Sequence, residues 1–109
     1  MDKKLKKRWV AALRSGNYRQ ARESLIDRSG SRARYCCLGV LCRVSGAEFS
    51  LYSGCAEFPS GNLTNTGTLG PDILDEVGLY ETDAEVLMEM NDTEKKSFKE
   101  IADYIEKNI

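Results

Sequence analysis

Histidine is missing from all 109 residues. Its absence removes the commonest general base and the commonest metal ligand together. Ser-His-Asp and Cys-His arrangements go with it. No apolar run approaches the roughly 18 residues of a membrane helix, so no membrane partner is expected. The start, Met1-Asp2-Lys3-Lys4-Leu5-Lys6-Lys7-Arg8, is basic like the head of a signal peptide. The apolar stretch that follows, Trp9 to Leu13, meets Arg14 too soon to be a secretory core. A cytoplasmic location is therefore expected. No Walker-type phosphate loop, repeat or low-complexity tract is present.

What is there suits a folded globule. The chain is 41% hydrophobic and 30% charged, enough apolar content to offset chain entropy. At this length one core over residues 1–109 is expected. In a reducing cytosol the four cysteines read as thiols, and a bridge between adjacent Cys36 and Cys37 would be strained. Cys36, Cys37, Cys42 and Cys55 lack the paired spacing of a structural zinc site, so no metal is expected.

Charge is uneven. Residues 1–34 hold 11 Lys/Arg and 3 Asp/Glu, a balance of +8, and residues 35–109 hold 5 and 14, a balance of −9. Either the basic half faces phosphates, or the halves neutralise each other across the fold. The second reading is preferred, and nucleic acid is not the expected partner. The carboxylates Asp72, Asp75 and Glu76, and Glu85, Glu89 and Asp92, read as solvated helix faces.

Periodicity predicts an α+β fold, predominantly helical, with about four to five short helices around a buried central one. Asp2 caps the first helix, Leu5, Trp9 and Leu13 recur at spacing four, and Gly16 stops it. Tyr18, Ala21 and Leu25 fit a helix, while alternation through Tyr18, Gln20, Arg22 and Ser24 fits a strand. A small antiparallel β element is expected from the 17–28 and 47–69 regions, and residues 47–69 are read as a loop or a lid. The stretch Tyr35-Cys36-Cys37-Leu38-Gly39-Val40-Leu41-Cys42 starts the central helix, apolar around most of its surface. Gly70-Pro71 opens a short helix that Gly78 closes. Capping boxes are expected at Thr82-Asp83-Ala84-Glu85 and Ser97-Phe98-Lys99-Glu100, with a turn at Asn91-Asp92-Thr93.

Arg28, Arg32 and Arg34 precede the central helix. A helix start beside arginines makes a phosphate site. Tyr18, Gln20 and Tyr35 can stack on or hydrogen-bond a base or ribose. Asn91 and Asp92 complete the edge of the expected ligand pocket. A cysteine nucleophile at Cys36 or Cys37 is the alternative chemistry, and buried structural cysteine is preferred to it. No catalytic residue and no cofactor are expected.

Three stretches carry a resemblance. They are Trp9 to Gln20, Tyr35 to Cys42, and Asn91-Asp92 followed by Ser97-Phe98-Lys99-Glu100-Ile101-Ala102-Asp103-Tyr104-Ile105-Glu106. Together they resemble a family of small proteins of bacteriophages and prophages. Members often have glycines after the Gln20 position, where this chain has Ala21 and Glu23, and an acidic residue where it has Arg43. The resemblance implies provenance and carries no enzyme activity. It implies an accessory role such as counter-defence in the infected bacterial host. The expectation is a non-enzymatic protein that sequesters a small anionic, nucleotide-derived signal. The alternative is an inhibitor or adaptor that meets a host defence protein through an acidic helical surface. A homo-oligomer is possible under either.

Overall fold

The computed structural model describes residues 1–22, 26–27, 31–45, 74–75 and 77–109. Helix α1 spans Lys3–Arg14, with Asp2 Oδ2 accepting from the Leu5 amide at 2.9 Å. Trp9, Val10 and Leu13 of α1 are buried. Gly16 follows at φ 79°, a left-handed geometry that costs glycine nothing.

Strands β1 (Arg19–Gln20), β2 (Ile26–Asp27) and β3 (Arg34–Tyr35) form a sheet of order β1-β3-β2. The strand reading of the 17–28 region holds, but the expected antiparallel arrangement is corrected in part. β1 and β3 run parallel, with Arg19 opposite Arg34 and Gln20 opposite Tyr35. Only β2 and β3 are antiparallel. The chain reverses once between β1 and β2 and again before β3, and two reversals restore the first direction. The contribution expected from residues 47–69 lies outside the described residues.

Helix α2 spans Cys37–Ser45, and every residue from Cys37 to Cys42 is buried. It is the central helix its composition predicted. α1 packs on it from one side, and helix α3, Glu81–Met88, also packs on it. Helix α4, Phe98–Asn108, packs along α1. Trp9, Leu38, Leu41, Leu87, Ile101 and Ile105 are the largest apolar side chains sealed in this core. No helix among the described residues is long and apolar enough to cross a membrane.

Leu74 and Val77 are buried as expected. Gly78, at φ 74°, ends this turn. The Gly78 amide donates to Asp75 O and the Leu79 amide to Leu74 O, a Schellman closure. A Cβ on Gly78 would also stand 3.0 Å from Met1 Cα, so the position excludes a side chain twice over.

Two sequence expectations fail nearby. Thr82 does not cap a helix, because α3 already begins at Glu81 behind Tyr80, which makes no side-chain cap bond. The Gly78 closure delivers the chain into helix directly, and Glu81 and Asp83 in the first turn stabilise the positive end of the helix dipole. Asn91-Asp92-Thr93 is not a turn either. Glu89–Thr93 continues α3 as a π-helical turn, with the Glu94 amide donating to Glu89 O at 2.9 Å. The wider turn carries Asn91 into the interior, where it is fully buried. Lys95, at φ 55°, then reverses the chain toward α4. The Ser97–Glu100 capping box forms as expected.

The charged halves do meet across the fold. Arg14 bonds Asp103 at 2.6 Å and Glu106 at 3.0 Å. Arg14 holds the Glu106 carboxyl below its ordinary pKa.

Candidate ligand cleft

The start of α2 is not open to a ligand. Cys36 stands at its cap, with Sγ accepting from the Gly39 amide at 3.4 Å, and the Val40 amide donates to Cys36 O at 3.0 Å. Cys36, Cys37 and Leu38 are all buried. The expected phosphate site on these amides is thereby corrected, since the thiol cap and the core cover them. Trp9 Nε1 donates to Cys37 O at 2.9 Å from the other side.

Burial also decides the thiol chemistry. It pushes the Cys36 pKa up to about 12, outweighing the bonds from the Gly39 and Leu38 amides that pull it down. Cys37 is raised well above 9.0 for the same first reason. Desolvation outweighs the pKa-lowering field of a helix start here. The expectation of four thiols is corrected as well: Cys36 and Cys37 are free, but Cys42 is disulfide-bonded. Cys42 lies a turn and a half along α2 from Cys37, on a different side. Among the described residues, no three groups gather into a metal-binding cluster.

A labelling experiment follows. In the native protein Cys36 and Cys37 should resist iodoacetamide: for Cys36 a pKa of about 12 against 9.0 leaves on the order of a thousandfold less thiolate, and burial raises Cys37 in the same direction. Unfolding without reductant should expose both, while Cys42 should label only after reduction. Fast alkylation of Cys36 or Cys37 in folded protein would contradict this.

The expected ligand residues divide into two groups. Tyr18, half-buried after the Gly16 stop, meets Tyr35 of β3 edge to face, with centroids 5.4 Å apart and planes at 84°. Asn17, Arg19, Arg32 and Ala33 join these two tyrosines around an open cleft of about 320 Å³. Three expected residues, Tyr18, Arg32 and Tyr35, thus come together. The sequence reading missed Arg19 and Asn17. The signal available was position, since both residues flank Tyr18 directly in the chain.

The second group does not line the cleft. Gln20 Nε2 donates to Asn91 Oδ1 and to Lys96 O, each at 2.8 Å. Asn91 Nδ2 donates to Ala21 O at 2.8 Å and to Asp92 Oδ1 at 2.7 Å. Arg22 donates to Asn91 O. Gln20, Asn91 and Asp92 therefore form a structural knot that ties β1 to the π turn. The expected pocket edge is corrected on this point: their polar atoms face one another, because a buried amide must be satisfied locally. Arg34 is exposed and does not line the cleft either.

Residues 1–52 match the family model of a domain of unknown function, DUF8296. The match takes in α1, the three strands and α2, so every cleft residue lies within it. The knot's partner residues, Asn91 and Asp92, lie beyond it. No curated protein matches the chain, and no solved structure does.

Proposed function

We propose that this protein acts by binding, and that the Tyr18–Tyr35 cleft holds a small anionic ligand of nucleotide kind. The observation that carries this reading is the meeting of two tyrosines with Arg19 and Arg32 around about 320 Å³. Tyrosine faces and edges take a planar ring. Guanidinium forks take phosphate bidentately. The volume stands at the small end of the roughly 300–1,000 Å³ range of ligand sites, which suits one nucleotide rather than an extended chain. The resemblance to phage proteins supplies a purpose: sequestering a nucleotide-derived defence signal in the cytoplasm of the infected host. A trap is favoured over an enzyme because the chain has no histidine and both free thiols are buried and poorly ionised.

Thermal-shift screening against cyclic nucleotides and ADP-ribose derivatives tests the reading. A ligand at 100 times its Kd stabilises by about 2.7 kcal/mol, which for a domain of this size raises Tm by on the order of 10 °C. Arg32→Ala should abolish the shift and leave the unliganded Tm unchanged, since Arg32 is exposed. A screen at about 100 µM ligand with no shift would overturn the proposal.

A second reading rests on α3. Glu81, Glu85 and Glu89 are exposed on it, with Val86 38% and Tyr80 77% exposed beside them. Such a surface suits a host protein with a basic face. Charge reversal across residues 81–94 that abolishes capture of a host protein, with no ligand shift in the wild type, would favour it.

A further inference from the structure

The exposed faces of α1 and α3 are complementary. On α1, Lys3, Lys7, Val10, Ala11 and Arg14 fall at i, i+4, i+7, i+8 and i+11, which is one helical stripe. They line a groove of about 600 Å³ whose far wall is Glu106 of α4. Val10 and Ala11 give it an apolar floor. Arg14 is already engaged by Asp103 and Glu106. Lys3 and Lys7 are exposed and, among the described residues, make no ion pair.

On α3 the pattern is the same with the sign reversed. Glu81, Glu85 and Glu89 repeat at spacing four, so they too form one stripe. Their carboxylates make no ion pair among the described residues. Val86 flanks the stripe, and Val86 and Tyr80 are the large hydrophobic side chains left exposed among those residues. At 1.5 Å per residue the acidic stripe runs about 12 Å and the basic one about 17 Å. The acidic stripe thus fits against the two lysines, and Val86 at its flank fits against the apolar floor.

We infer that a second copy of this chain docks its α3 acidic face into the α1 groove. Charge complementarity selects this occupant over nucleic acid, for which the apolar floor would be wasted. One helix face against one groove, carried by exposed charges, makes an association that is weak and salt-sensitive. Each copy carries both surfaces, and contacts of this kind close into a symmetric pair or ring, or extend.

Sedimentation equilibrium on the full chain tests it. The wild type should associate at about 10 mM salt and weaken at least tenfold by about 150 mM, as the screening length falls from about 30 Å to about 8 Å. Lys7→Glu alone and Glu85→Lys alone should each lose association, because like charges then face each other. The double variant Lys7→Glu/Glu85→Lys should regain it, and an equimolar mixture of the two single variants should pair. Both positions are exposed, and recovery in the double variant separates a lost contact from a lost fold. A wild type that stays monomeric at about 1 mM protein in low salt overturns the inference. So does a double variant as impaired as the singles.

Discussion

Asn91→Leu should lower the unfolding free energy by about 3 kcal/mol in urea, with the slope of the transition unchanged. Asn91 is fully buried, and its amide satisfies Ala21 O, Asp92 Oδ1 and Gln20 Nε2. Leucine has the same branching and the same number of side-chain heavy atoms and is somewhat larger, so the loss is not a cavity. It is the cost of orphaned groups. The buried Ala21 carbonyl loses its Nδ2 donor, and Gln20 keeps only its bond to Lys96 O. Each orphan costs about 1–3 kcal/mol. Asn91→Asp should be worse at neutral pH, because it sets a carboxylate against Ala21 O and the Asp92 carboxylate. Burial beside a like charge raises the introduced group's folded-state pKa above its unfolded value of about 3.9. Its stability is therefore retained at pH values below that, and lost as pH rises through the raised value. A variant whose stability relative to wild type does not fall between pH 4 and pH 7 would remove Asn91 from the role of interior knot.

Trp9→Ala should cost about 3–5 kcal/mol, the range for emptying a buried aromatic site. Against a total of roughly 5–15 kcal/mol for a domain, that removes a large share of stability. Trp9 is fully buried, and its indole N–H bonds Cys37 O. It thereby joins α1 to the first turn of α2. Trp9→Phe separates the contributions: it keeps most of the packing and loses the bond and some volume, for about 2 kcal/mol. Urea midpoints measured by circular dichroism read both. If Trp9→Ala cost under about 1 kcal/mol, α1 would not be packed on α2 through this side chain.

The elements most legible in the sequence were those set by local rules. Asp2, Gly16, Gly78 and the Ser97–Glu100 box act on neighbours within a few residues, so their types announce their roles. The Thr82 expectation fails for an equally local reason, because the Gly78 closure starts α3 before Thr82 is reached. The candidate site was half legible. Tyr18, Arg32 and Tyr35 lie around one cleft, as their types suggested. Gln20 and Asn91 were also polar residues near aromatics, but 71 positions separate them and their 2.8 Å bond is invisible to any local pattern.

By itself the sequence determined that the chain is mostly helical, that the 37–42 stretch is interior, and that no histidine chemistry is available. Each follows from composition or from short-range periodicity, which backbone geometry converts directly into structure. Tertiary packing decided which polar groups face outward to a ligand and which face each other. It wrapped the α2 amides in the Cys36 thiol and the core, turned Asn91 inward on a π turn, and left Tyr18, Arg19, Arg32 and Tyr35 around open space. Desolvation drives that sorting, because a buried polar group must find a partner wherever the fold brings one, and sequence distance does not enter that requirement.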